Sequence, residues 1–337
     1  MTTQVRISRE IQLAARPDGV PTAENFALVE RAVPELGEGQ ILVRNTWMSV
    51  DPYMRSRMDD KESYIPPFQV GQALEGSAVG EVVESRAEGI AVGATVSHFA
   101  GWREFAVLDA ADATPIDTAL ATPQQYLGPL GTTGLTAYAV LTDVAPVREG
   151  DTVFISAAAG AVGSVAGQIA RALGAKRVIG SAGGAAKTAL LLEEFGFDAA
   201  VDYRAGDIAG QLRQAAPEGV DVYLDSVGGE HLRVAVEQLR HSGRIALVGA
   251  ISGYNGSAPE AGPDLYLAAT KEATLRGMLV NSYFPLFGEY IGKAAGWLAD
   301  GTLRTRETVY EGLDQAPAAL LGVLSGANTG KMLVRLG

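Results

Sequence analysis

Residues 156–164 read SAAAGAVGS, directly after the apolar run DTVFI at 151–155. Four of the nine are alanine and two are glycine, and apart from the flanking serines no side chain carries a functional group. Ala157, Gly160 and Gly163 space out as A-x-x-G-x-x-G. Between a strand and a helix, small residues at this spacing let the chain turn tightly and let the backbone come close to a pyrophosphate. The last of them lets the helix pack on the sheet, and the helix N-terminus offers unpaired N–H groups to phosphate. The absence of bulk is therefore the useful property. In isolation the pattern also describes a tight, well-packed turn, so its meaning depends on what surrounds it.

The surroundings alternate. Strand-like runs fall at 151–156, 177–181, 199–203, 220–227, 244–250 and 274–280. Helical patterns lie between them at about 163–173, 185–195, 207–216 and 229–241. Val162, Ala166, Ile169 and Leu173 make one apolar face of the first. Such alternation predicts an α/β, doubly wound parallel sheet of the Rossmann type, with helices on both faces. Residues 1–125 read differently, as short β-rich runs such as QILVRNTWMSV broken by Pro52, Pro66, Pro67, Pro115 and Pro123. The tail beyond KAAGWLADGTL returns to short elements.

The end of the second strand discriminates between nucleotides. A site for an unphosphorylated ribose places Asp or Glu there, to accept from the 2′-hydroxyl. This chain has GSAGGAAK at 180–187, with no carboxylate to repel a 2′-phosphate and with Lys187 one turn on. A charge-assisted contact is worth roughly 1.5–3 kcal/mol, about a tenfold to hundredfold preference for NADP(H) over NAD(H). Lys187 would otherwise be an ordinary solvated lysine.

Composition removes other classes. The 337 residues suggest about two domains. The formal net charge is −12, and no run of Lys and Arg appears, so nucleic acid is not an expected partner. There is no cysteine, and His98, His231 and His241 have no metal-ligand spacing, so no metal site is expected. The N-terminal stretch lacks the apolar core of a signal peptide, and no apolar run reaches the ~18 residues of a membrane span. A cytoplasmic protein is the expectation.

Further segments carry a resemblance. SAAAGAVGSVAGQIARALGAKRVIG, AGGAAK and GFDAAVDYR are similar to the nucleotide site of the zinc-independent medium-chain dehydrogenase/reductases. VDPYMRSRM (50–58), GTTGLTAYAVL (131–141), DSVGGE (225–230), VGAISGYNG (248–256) and GANTGKMLV (326–334) resemble the prostaglandin reductase and alkenal/one double-bond reductase branch. The resemblance spans nearly the whole chain. It implies a Rossmann domain at 126–310 inserted into a GroES-like β-barrel catalytic domain made of 1–125 plus 311–337. It also implies a homodimer, joined through a sheet edge for which 274–280 is the candidate.

The same resemblance assigns residues. Gly160, Ala161, Val162 and Gly163 hold the pyrophosphate, and Lys187 with Tyr203 binds the 2′-phosphate. Ser226, the run Val248, Gly249, Ala250, Ile251, Ser252 and Tyr254, and the segment Met278, Leu279, Val280 line the nicotinamide side. Asn328 reaches the cofactor from the tail. Two departures stand out: relatives often carry Asn in place of Ser226 and Pro in place of Thr133.

The implied reaction is reduction by NADPH of a carbon–carbon double bond conjugated to a ketone or aldehyde, in a small-molecule substrate. Hydride reaches the β-carbon and charge develops on the carbonyl oxygen, which needs a donor and later a proton source. Tyrosine suits both tasks. Tyr254, just past the fifth parallel strand, is the first candidate for catalysis, and Tyr53 the second. Tyr53 and Tyr64 are the candidate pocket walls. Arg55 is given no role, and His98 is read as a structural histidine. Two alternatives remain open on the sequence: a quinone reductase using the same cofactor, and a nucleotide-binding protein without catalysis. The loops at 59–70 and 254–266 would set pocket size.

Overall fold

The computed structural model describes residues 5–256 and 262–337. The chain divides into two units, one running to Leu127 and resuming at Glu307–Gly337, the other Gly128–Arg306.

The first unit is β-rich. Strands β1 (Ile7–Leu13) and β2 (Phe26–Ala32) pair antiparallel. Strand β3 (Gln40–Ser49) leads into a one-turn helix, α1 (Met54–Arg57), and is followed by β4 (Ala78–Ser85), β5 (Thr95–His98), β6 (Phe105–Asp109) and β7 (Thr114–Pro115). β3 is central and pairs with β4 and with β6, both antiparallel. Its register with β4 shifts at Leu42/Val43 and Asn45/Trp47, and such bulges bend a strand and tighten its twist, as a curling sheet requires. Gly80 on β4 leaves no room for a side chain; a Cβ there would come 2.4 Å from Arg44 O. The core beneath includes Met48, Met54, Met58, Phe68, Leu74 and Trp102, all buried.

The second unit begins with α2 (Thr132–Ala139) and then alternates: β8 (Thr152–Ile155), α3 (Ala161–Ala172), β9 (Arg177–Ala182), α4 (Ala185–Glu193), β10 (Ala199–Asp202), α5 (Ile208–Ala215), β11 (Val220–Asp225), α6 (Gly229–Gln238), β12 (Leu239–Leu247), α7 (Leu265–Thr270), β13 (Thr274–Gly277) and α8 (Phe287–Ala299). The six strands form one parallel sheet in the order β10-β9-β8-β11-β12-β13. The order reverses between β8 and β11, the switch at which doubly wound sheets bind ligands. β8, β9 and β11 are buried almost throughout, as strands covered on both faces are. Gly167 lets α3 settle onto the Phe197 ring, since a Cβ there would fall 2.2 Å from ring Cζ.

The tail supplies β14 (Glu307–Glu311), α9 (Ala316–Leu324) and β15 (Lys331–Arg335). β15 pairs antiparallel with β3, so both chain ends build the first unit. The architecture is thus the expected doubly wound parallel sheet, inserted in sequence between the parts of a barrel-like β unit.

Several element ends differ from the sequence expectation. The α6 helix stops at Gln238 and β12 starts at Leu239, five residues before the run 244–250. Leu239 turns extended, with ψ of 139°, and its side chain is buried, while the polar residues RHS that follow gave no strand pattern. The strand expected at 274–280 ends at Gly277, which leaves Met278, Leu279 and Val280 beyond the sheet.

Candidate functional site

Because the six strands are parallel, their C-terminal ends share one edge of the sheet. Every candidate cofactor-site or catalytic residue in this unit lies just past one of them. Gly160–Gly163 follow β8, Lys187 follows β9, Tyr203 follows β10, Ser226 follows β11, Val248–Tyr254 follow β12 and Met278–Val280 follow β13. Tyr53, Tyr64 and Asn328 belong to the other unit. Part of the 254–266 loop, residues 257–261, lies outside the described residues.

The first turn is built as its composition suggests. Ala157 adopts the left-handed conformation, φ +47°, and Gly160 N–H donates to its carbonyl at 2.9 Å. A Cβ on Gly163 would come 2.6 Å from both Ala157 O and Ala158 Cα, and one on Gly160 3.1 Å from Ala157 O. Gly160 is the N-cap of α3 and has no side chain to cap it, so the first helical N–H groups face outward for an anion. The residues present therefore fit a pyrophosphate: bulk at Gly163 would displace the very backbone that would bind it.

Asp225 organises the neighbouring turn. Its Oδ1 accepts from Tyr223 Oη at 2.8 Å and from the N–H groups of Gly228 (2.9 Å) and Val227 (3.0 Å). Ser156 Oγ accepts from Ser226 N–H at 2.9 Å, tying the end of β8 to the end of β11. Gly249 N–H donates to Asp225 O, and Ile251 N–H to Ser226 O, so the run 248–252 lies against DSVGG. Tyr254 folds back over this run. A Cβ on Gly249 would lie 3.1 Å from its hydroxyl, which sits 3.5 Å from Ala250 N. Burial, helped by the Asp225 carboxylate, raises the Tyr254 pKa, so the phenol keeps its proton.

At the other end of the sheet, Gly183 and Gly184 turn the chain from β9 into α4. A Cβ on Gly183 would lie 2.6 Å from Tyr203 Oη and 2.9 Å from Arg204 Nε. Lys187 stands one turn into α4, and its pKa is lowered, first by burial and then by the nearby Arg204. Sequence reading missed Arg204. Its place beside Lys187 depends on contacts between strand ends, which spacing does not encode.

In the first unit, Tyr53 leads α1. Its hydroxyl is buried and has no partner among the described residues. Burial first, then the Asp51 carboxylate, push its pKa well above the ordinary tyrosine value. Trp102 Nε1 is also buried, with no partner among the described residues; the point where a Gly76 Cβ would sit is 3.5 Å from it and 3.7 Å from Tyr53 Oη. Tyr64 is half exposed, and Asn328 Nδ2 donates to Gly330 O at 2.8 Å. His98 and His231 are buried and bonded to Asn45 and Ser181, while His241 lies on the surface 3.6 Å from Glu272. Among the described residues no group of three His, Asp or Glu is placed to hold a metal ion.

Known proteins are similar to this chain in sequence and fold. Residues 9–116 match the pattern described as the N-terminal domain of oxidoreductase, and residues 161–298 the one described as zinc-binding dehydrogenase. The chain is 37% identical to the NADPH-dependent curcumin reductase of Escherichia coli, over 100% of this chain and 99% of that one. It is 38% identical to the NADP(+)-dependent 2-alkenal reductase of Nicotiana tabacum, over 91% and 90%. The crystal structure of CurA from Vibrio vulnificus in complex with NADPH superposes with a TM-score of 0.93 at 38% identity, covering 98% of this chain and 99% of that one. The chain belongs to the zinc-independent medium-chain dehydrogenase/reductases, in their prostaglandin reductase and alkenal/one double-bond reductase branch.

Proposed function

We propose that the protein is an NADPH-dependent reductase of carbon–carbon double bonds conjugated to a ketone or aldehyde. The observation that carries this reading is the joint one of site and kinship. A glycine-lined phosphate turn, a cationic second-strand end and a folded-back tyrosine occupy one sheet edge, in a chain that aligns end to end with a curcumin reductase.

NADPH supplies a hydride to the substrate β-carbon. The chain's residues do the rest. The N-terminus of α3, with Gly160, Ala161, Val162 and Gly163, binds the pyrophosphate. Lys187 and Tyr203 take the 2′-phosphate. Ser226, Val248, Gly249, Ala250, Ile251 and Ser252, with Met278, Leu279 and Val280, form the wall along the nicotinamide half, and Asn328 contributes from the tail. Tyr254 stays neutral and so can donate to the carbonyl oxygen as it gains negative charge. Tyr53 is the second donor, its orphaned hydroxyl available for a substrate oxygen, and Tyr64 borders the pocket. The β-rich unit is then the substrate unit and residues 128–306 the cofactor unit. We also propose a cytoplasmic homodimer joined through β13, the strand at the end of the parallel sheet. No helix among the described residues is long and apolar enough to cross a membrane.

The test is NADPH oxidation by the purified protein on a panel of 2-alkenals, alkenones and quinones, with the product identified by mass spectrometry and NMR. Saturation of the double bond with the carbonyl intact is the expected result. Turnover of quinones alone would replace this reading with quinone reduction.

A further inference from the structure

We propose that Arg204 is a specificity-determining residue, whose guanidinium joins Lys187 and the Tyr203 hydroxyl in holding a ribose 2′-phosphate and so sets the preference for the phosphorylated dinucleotide. This rests on the NADPH reading above and adds a residue that the sequence reading did not single out.

The geometry starts from Asp202. β10 pairs in parallel with β9, with Asp202 opposite Ala182. Asp202 Oδ1 accepts from Gly184 N–H at 2.8 Å and from Arg204 N–H at 3.0 Å. One carboxylate oxygen thus staples the turn after β9 to the turn after β10. Asp202 is thereby engaged with backbone. Among the described residues, no carboxylate lies within ion-pair distance of the Arg204 guanidinium. The guanidinium and the Tyr203 ring instead lie against Gly183, close enough that a β-carbon there would touch both.

Lys187 is the second cation, close enough to Arg204 to feel its charge. Like charges held near one another favour an anion beside them. A phosphate monoester, near −2 at neutral pH, matches two cations. The α4 helix adds partial positive charge, since its N-cap is Gly184 and no side chain caps it. The position is the end of the second strand, where the adenosine ribose lies in this fold. A planar guanidinium also offers a fork of donors to phosphate oxygens, whereas an ammonium is a point charge.

The experiment measures binding, without catalysis. The full chain, wild type and Arg204→Gln, is titrated by calorimetry with 2′,5′-ADP and with 5′-ADP, and by fluorescence with NADPH and NADH. Loss of a charge-assisted contact is expected to weaken 2′,5′-ADP and NADPH about 10- to 100-fold. The change for 5′-ADP and NADH should stay under about twofold, and Arg204→Lys should recover part of the loss. Arg204 is exposed, so the thermal midpoint should not move. If the variant keeps the wild-type ratio between the two ligands, or weakens both equally, the assignment of Arg204 is wrong while the NADPH reading stands. If the wild type itself does not distinguish 2′,5′-ADP from 5′-ADP, the NADPH reading fails and takes this assignment with it.

Discussion

Lys331 Nζ lies 2.9 Å from Asp51 Oδ1, across 280 positions of sequence. The ammonium is buried and also donates to Val50 O and Met332 O, both at 3.1 Å. Asp51 further accepts from Ser49 Oγ. The tail strand β15 is thereby fastened to the segment that carries Tyr53. Removing one member of a buried pair strands the other charge and costs about 3–5 kcal/mol. Lys331→Met is expected to lower the urea midpoint accordingly, and the double variant with Asp51→Asn to lie above the sum of the two single losses. Simple additivity would show that the pair holds nothing together.

His98 gives a pH prediction. Its Nε2–H donates to Asn45 Oδ1 at 2.8 Å, and its Nδ1 accepts from Ala100 N–H at 3.1 Å; the second bond requires the neutral ring. Burial first, then Arg103, lower its pKa from 6.5 to about 4. The unfolded chain therefore binds the extra proton at a higher pH than the folded one. The resulting stability is fully present above pH ~6.5 and is lost as pH falls toward about 4, by up to roughly 3 kcal/mol. Denaturation midpoints measured from pH 7 to 4 should fall over this window, and His98→Gln should flatten that part of the fall. An unchanged slope would contradict the neutral-ring assignment.

Much of this was legible in the chain, for physical reasons that differ by region. The parallel strands are covered on both faces, so their apolar runs stand out, and the glycines at 160 and 163 carry a steric requirement that any reader can see. Arg204 was hidden because its position depends on Asp202 stapling two turns, a contact between strand ends that spacing does not encode. The start of β12 at Leu239 was hidden for a similar reason, since its next residues are polar and exposed. That the tail joins the first unit was implied by resemblance alone, and the pairing of β15 with β3 was not expected, because β pairing between distant parts of the chain leaves no periodic trace.

The two fingerprint glycines should respond differently to the same change. At Gly163 a methyl group meets two backbone atoms at 2.6 Å, whereas at Gly160 its nearest contact is 3.1 Å. Overpacking against backbone costs about 1–3 kcal/mol. Gly163→Ala is expected to lower stability by that amount and weaken NADPH at least about tenfold, with Gly160→Ala clearly milder in both. Fluorescence titration and thermal midpoints decide it, and equal effects would mean that the turn yields where the structure says it cannot.

Tyr53 separates stability from function. A buried hydroxyl without a partner is a liability in the folded state, since its desolvation is not repaid. Tyr53→Phe should therefore leave stability unchanged or raise it, by up to about 1 kcal/mol. If the hydroxyl serves a substrate oxygen, kcat/KM falls all the same. A variant that loses stability would show that the hydroxyl has a structural partner.

Tyr254 provides the sharpest test of the chemistry. Among the described residues its hydroxyl receives only a long contact from Ala250 N–H, at 3.5 Å, so its own proton stays available. Removing one donor to a developing oxyanion typically costs about 2.7–4 kcal/mol. Tyr254→Phe is thus expected to lower kcat about 10²- to 10³-fold while NADPH affinity changes less than about twofold. Because burial raises the pKa of this phenol, wild-type kcat should show no alkaline loss from Tyr254 below the ordinary tyrosine value of about 10. A fall centred near neutral pH that disappears in the Phe variant would mean that the tyrosine ionises early and acts as a base. An unchanged kcat in the variant would move the donor role to Tyr53, whose Phe variant then has to carry the loss.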